Sequence, residues 1–137
     1  GKSLDLPVWA LLGGRKAAKL PAYASGGWAD AGAIGAQLSS YIEAGGFKAL
    51  KMRVGSMDGA PHVSAERVQA ARKALGPGVE LAVDAHGTYT VAEARRFARM
   101  VEDCDLAWFE EPITADDHRG MAEFRAASPV PVAAGES

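Results

Sequence analysis

The sequence predicts an α/β fold built on one parallel sheet, either open and doubly wound or curled into a barrel. Three observations carry that reading. Short β-like segments alternate with longer helical ones, glycine stops separate them, and an acidic residue marks the end of three successive strand segments at equal spacing. Strands alternating with helices of this length form right-handed βαβ units, which pair in parallel.

Residues Gly1 to Lys19 precede the repeat. Pro7 to Leu12 read as a short helix with Pro7 near its first turn and Gly13-Gly14 closing it, either a cap over the bottom of the sheet or the tail of another domain. The first strand is expected over Leu20 to Ser25. After Gly26-Gly27 a helix runs from about Ala31 to Ala44, stopped by Gly45-Gly46. Ala49 to Val54 form the second strand, and the loop from Gly55 through Pro61 leads into a helix over Val63 to Leu75. On that helix Val63, Val68, Ala71 and Leu75 share one face. Gly76-Pro77-Gly78 ends it. The remaining elements are a strand over Glu80 to Asp84, a helix over Val91 to Glu102, a strand over Asp105 to Glu110, a helix over Asp116 to Ala127 and a strand over Val130 to Gly135.

Composition narrows the partners. With 15 Lys+Arg against 17 Asp+Glu in 137 residues, the net charge of -2 offers no broad positive field for nucleic acid or an anionic membrane. No apolar run reaches the roughly 18 residues that would span a bilayer, and Pro7 to Leu12 are too short for a signal segment. Cys104 has no second cysteine to pair with. A cytoplasmic protein is expected. A closed (β/α)₈ barrel takes about 250 residues, so the length argues first for a small open sheet. The first residue is Gly1 rather than Met, as in a chain that has been processed or cut.

The chemistry lies at the strand ends. Asp84, Glu110 and Glu136 stand 26 residues apart, one at the same place in each of three successive βα units. Ligands of parallel sheets bind beyond the carboxyl ends of the strands, where these side chains would converge. Three carboxylates around one point repel one another unless a cation holds them, and an all-oxygen set suits Mg²⁺ better than Zn²⁺. Any one of the three would serve equally as a helix cap; the common register is what points to a site.

Lys51 and Arg53 share one face of the second strand, with Leu50, Met52 and Val54 turned to the helices. On a barrel interior they place two cations beside the acids; on an edge strand they would be solvated. His86, two residues past Asp84, has a proton-transfer role or an ordinary loop hydrogen bond open to it. His62 and His118 have no implied partner. Trp108 and Phe109 read as core, Glu111 as a structural contact of opposite parity to Glu110, Tyr89 as a rim residue and Cys104 as a packed thiol.

Together these segments carry a resemblance. Lys51-Met52-Arg53, Val83-Asp84-Ala85-His86, Trp108-Phe109-Glu110-Glu111-Pro112 and Ala134-Gly135-Glu136-Ser137, in that order, resemble the enolase superfamily and within it the mandelate racemase-like branch. Leu6 to Gly14 resemble the join between that family's capping domain and its barrel. The resemblance implies that residues 1–19 are the remnant of this junction and that residues 20–137 are the first five strands of a (β/α)₈ barrel of the TIM type. A chain of 137 residues is then part of a longer enzyme, and the piece alone is expected to be inactive.

It further implies one Mg²⁺ held by Asp84, Glu110 and Glu136, a small carboxylate substrate, and removal of the proton α to that carboxylate through an enediolate. Lys51 would stabilise the carboxylate. Arg53 departs from the family's commoner second Lys, and because arginine stays protonated it suits a clamp better than a base. His86 stands where some acid-sugar dehydratases of the branch have a histidine that protonates the departing hydroxyl. The favoured reading is a Mg²⁺-dependent dehydratase making a 2-keto-3-deoxy acid, with its base, a His paired with an Asp, on later strands and a homo-oligomeric full-length protein. A racemase, epimerase or cycloisomerase of the same superfamily is the alternative. From another class, a receiver-like signalling module also has five parallel strands and metal-binding carboxylates, but it needs an acidic pair at the end of its first strand, where this chain has Tyr23-Ala24-Ser25-Gly26.

Overall fold

A computed structural model describes residues 1–14 and 19–136. Five strands, β1 (Ala24–Gly26), β2 (Ala49–Arg53), β3 (Glu80–Asp84), β4 (Leu106–Glu110) and β5 (Val132–Ala133), form one sheet in the order β1-β2-β3-β4-β5, every pair parallel. The helices are α1 (Val8–Leu11), α2 (Ile34–Gly45), α3 (Pro61–Leu75), α4 (Val91–Met100) and α5 (His118–Ala127). The strictly sequential order has no reversal, whereas a doubly wound sheet such as a receiver's runs 2-1-3-4-5. This overturns the receiver alternative. The sheet is five strands of a TIM-barrel wall.

Element ends follow local chemistry. Pro61 opens α3 two residues earlier than expected, because its fixed φ suits the first turn and its missing N–H costs nothing there. Thr90 and Glu93 close a reciprocal capping box on α4, and Asp117 accepts from Gly120 N at 2.8 Å to cap α5. The outer strands are shorter than predicted. β1 begins only at Ala24, with Leu20 largely exposed, and β5 has two residues, since each has a single neighbour to pair with. None of the residues of α1 is buried.

The core lies between the sheet and one layer of helices, with α2 packed on α3, α3 on α4 and α4 on α5. Leu50, Met52 and Val54 from β2 and its exit face this layer as predicted, with Leu81, Val83 and Phe109 beside them and Ile34, Leu38, Val68, Phe97 and Phe124 opposite. Rings of Phe97 and Phe109 stand 5.0 Å apart, and Phe124 meets Phe109 edge-on at 5.7 Å. Tyr89 belongs to this cluster rather than to the rim, 5.8 Å from Phe97 with its hydroxyl donating to Ser64 at 2.7 Å. Cys104 is buried, and that burial pushes its thiol pKa up. Among the described residues no helix is long and apolar enough to cross a membrane.

Two expectations arise here. β1 and β5 each leave one row of backbone groups unpaired, so these 137 residues expressed alone are expected to associate through those edges, which sedimentation velocity would register. A stable monomer would contradict this. Burial pushes the Tyr89 hydroxyl up to about 12, outweighing its bond to Ser64. The unfolded chain then releases this proton first, near about pH 10. Stability from this group is therefore full below that value and falls as pH rises towards 12. Urea midpoints at about pH 9 and about pH 11 should diverge more in the native protein than in Tyr89→Phe.

Candidate metal centre

Register places Arg53 opposite Asp84, Asp84 opposite Glu110 and Glu110 opposite Ala133, one row across four strands on the face away from the helices. Lys51 lies two residues earlier on β2 and reaches up between the acids, its Nζ 2.5 Å from Glu110 Oε1 and 3.4 Å from Asp84 Oδ2. Arg53 lies 3.5 Å from the same Asp84 oxygen. Lys51 and Asp84 are each only 8% exposed, so these charges interact in a poorly hydrated space. Burial pulls the Lys51 pKa down, but the bond to Glu110 and the charges of Asp84 and Glu110 outweigh it, and the ammonium is held above the usual lysine range.

Glu110 is tied on its other side by Trp108, whose indole nitrogen donates to Oε2 at 3.0 Å. Trp108 was expected in the core and instead lines the site, edge-on to Tyr23 at 5.4 Å. Trp108 shares the face of Glu110 by simple alternation; the irregularity is a register shift between Leu81 and Val83, where β4 spends one residue more than β3. This bulge lets both Leu106 and Phe109 face the core while Trp108 and Glu110 face the site. Parity with Glu110 is the sequence signal for Trp108.

β3 stops at Asp84, so simple alternation does not carry His86 into the site. His86 turns in through a left-handed conformation, φ 52°, with its N–H donating to Asp84 Oδ1 at 2.9 Å. Its Nδ1 then stands 3.6 Å from Glu136 Oε2, with the ring half exposed. Glu136 is presented by Glu111: the buried Glu111 carboxylate accepts from Gly135 N at 2.6 Å and Glu136 N at 3.0 Å. Glu111 pays for this with φ 42° before Pro112, a strained conformation for a non-glycine residue.

Among the described residues, ligand atoms of Asp84, His86 and Glu136 all lie within 4.8 Å of one another, a separation that one metal ion can bridge. Glu110 stands outside this group, on the Lys51 side of Asp84. The donor set is dominated by carboxylate oxygens, and the three acids outnumber the two cations of β2, so it fits a hard divalent ion. A cleft of about 130 Å³ opens beside Ser25, Trp28, Lys51, Arg53 and Asp84. A larger one, about 720 Å³, is lined by His86, Glu111, Thr114, His118 and Gly135. His118 therefore borders a cleft, which its place at a helix start did not foretell, and His62 is exposed.

A strictly sequential parallel sheet backed by one layer of helices, with acids and cations at its carboxyl ends, has the architecture of a TIM-barrel wall. Residues 33–137 match the family described as Enolase C-terminal domain-like. The chain belongs to the enolase superfamily. It is 40% identical over 134 residues to 3,6-anhydro-alpha-L-galactonate cycloisomerase of Streptomyces coelicolor, covering 96% of this chain and 36% of that protein. Arabinonate dehydratase of Saccharolobus solfataricus is 33% identical over 141 residues, covering 100% of this chain and 37% of that protein. Among solved structures, the mandelate racemase/muconate lactonizing protein of Paracoccus denitrificans complexed with magnesium superposes with a TM-score of 0.85 at 31% identity, covering 98% of this chain and 38% of that one. The chain thus spans little more than a third of the length of its relatives.

Proposed function

We propose that residues 20–137 serve as the first five strands of a (β/α)₈ barrel enzyme that removes the proton α to a carboxylate, and that residues 1–19 are its junction with a capping domain. The favoured reaction is dehydration of a sugar acid to a 2-keto-3-deoxy acid. The observation that carries this reading is the row Arg53, Asp84, Glu110 with Lys51 beneath it and the His86 ring against Glu136, all at one mouth.

In this reading Asp84, Glu110 and Glu136 hold Mg²⁺, which when bound supplies localised positive charge against the substrate carboxylate. The chain's own residues do the rest. Lys51 stays protonated between Asp84 and Glu110 and so serves as a fixed positive charge where negative charge develops, not as a base. Arg53 is a permanent cation that binds and orients. His86 donates a proton to the β-hydroxyl as the C–O bond breaks, releasing water; the enol left behind takes a proton to become the 2-keto acid. The base for the α-proton belongs to another strand of the complete barrel. The cytoplasm is the expected compartment for this reaction.

A cycloisomerase is the second reading, favoured by the 40% identity to one. The test is to incubate the full-length enzyme with Mg²⁺ and a panel of aldonic and aldaric acids and to assay 2-keto product. His86→Asn should lower dehydration by about 10²–10⁴-fold while α-proton exchange in D₂O persists. Epimerisation or ring opening with no 2-keto acid formed would reject the dehydratase.

A further inference from the structure

The least expected hydrogen bonds lie outside the acidic row. Residues 27–29 carry the chain out of β1, and their backbone groups are claimed by two side chains from two helices. Gln37 Oε1 on α2 accepts from Trp28 N at 2.9 Å and Ala29 N at 3.0 Å. Arg67 on α3 donates to Ala29 O at 2.7 Å and Gly27 O at 2.8 Å, and also to Arg53 O at 2.8 Å and to both Asp58 oxygens at 2.9 Å. Arg67 is 3% exposed. A guanidinium this deeply buried needs acceptors held in fixed positions, and displacing the loop would strand both donors and acceptors. Gly27 seals the arrangement: at φ 81° a β-carbon there would sit 2.8 Å from Met52 Cβ. The exit of β1 and the end of β2 are therefore one rigid frame.

That frame presents Trp28. Its side chain fills no core: the residue is 59% exposed, and its ring centre lies 5.8 Å from the Arg53 guanidinium carbon at the edge of the cleft shared with Ser25, Lys51 and Asp84. An indole face beside hydrogen-bond donors suits a polyhydroxylated carbon chain, which offers C–H bonds to the ring and hydroxyls to the polar groups. With the carboxylate end of a substrate at Lys51 and the acids, its far carbons reach towards Trp28.

We propose that Trp28 is a specificity-determining residue that reads the distal carbons of a polyhydroxy acid, and that Gln37 and Arg67 are positioning residues that hold it in place. This rests on the carboxylate-binding reading of the site. The experiment compares, in the full-length enzyme with Mg²⁺, the ratio of kcat/KM for a six-carbon aldonic acid to that for a four-carbon one. Trp28→Ala should lower the ratio about tenfold, chiefly through KM for the longer acid. Arg67→Lys should move it the same way by at least about threefold, and Gln37→Leu serves as the second positioning variant should Arg67→Lys not fold. Independently of turnover, gluconate should quench tryptophan fluorescence, and the quenching should be smaller in Trp28→Phe than in the wild type.

A ratio unmoved by Trp28→Ala overturns the specificity role while leaving the α-proton reading intact. Gln37 and Arg67 variants that slow both acids equally are merely structural, which overturns the positioning role. A wild-type enzyme that neither binds nor turns over any acid rejects the α-proton reading itself and this inference with it.

Discussion

Asp84→Asn is expected to lower divalent-cation affinity and turnover by about 10³-fold or more in the full-length enzyme, the equivalent of several kcal/mol of charge stabilisation. The substitution keeps shape and removes charge. Asp84 is 8% exposed and sits between two cations, Lys51 at 3.4 Å and Arg53 at 3.5 Å, so neutralising it leaves them facing each other with Glu110 as the remaining counter-ion of the row. A bound Mg²⁺ would then face two positive groups with one fewer acid to offset them. Isothermal titration with Mg²⁺ checks the binding and a 2-keto acid assay checks the turnover. Retained Mg²⁺ affinity in Asp84→Asn would remove this residue from the metal site. Glu136→Gln should weaken binding similarly while leaving the Lys51 contacts intact, because Glu136 is oriented through its backbone by Glu111.

Phe109→Ala should cost about 3–5 kcal/mol of stability, the range for emptying a large aromatic site in a core. Phe109 is fully buried and meets Tyr89, Phe97 and Phe124 within one cluster, so its ring joins β4 to α4, α5 and the loop after β3. Little around it can collapse into the space, since its neighbours are rings fixed by their own partners. Urea denaturation of the full-length enzyme measures the loss as a lower midpoint. A cost below about 1 kcal/mol would show that the cluster relaxes, contrary to close packing. Phe109 faces the core and its neighbour Glu110 faces the site, so this variant should weaken the fold more than it alters metal affinity.

Much of the wall was legible in the residue pattern. The alternation in Leu50-Lys51-Met52-Arg53-Val54 placed apolar side chains on the helices and cations on the other face, and the structure has them so. Equal spacing of Asp84, Glu110 and Glu136 did not mean equal register: Asp84 pairs with Glu110, but Glu110 pairs with Ala133, so Glu136 stands three residues past the end of the row. Strand lengths at the two sides were less legible, because a strand with one neighbour shortens to whatever that neighbour can pair. His86 lies beside Glu136 through a geometry that strand alternation did not foretell: a left-handed turn, not continued strand, aims it there.

The sequence by itself determined the order of elements and which residues stand at the strand ends, because those follow from short-range periodicity and repeat spacing; the superfamily came from the resemblance its motifs carry. Tertiary structure alone decided where the polar side chains between elements would go. Arg67 lies on a helix whose expected face was apolar, yet it is buried against carbonyls 40 and 38 residues before it. Leu106 shares the parity of Trp108 and Glu110 and yet is buried in the core, because of a bulge that depends on how β4 meets β3. Periodicity states which way a side chain leaves its own element. What it meets there depends on the neighbouring element, and a buried donor or acceptor must find its partner across that gap.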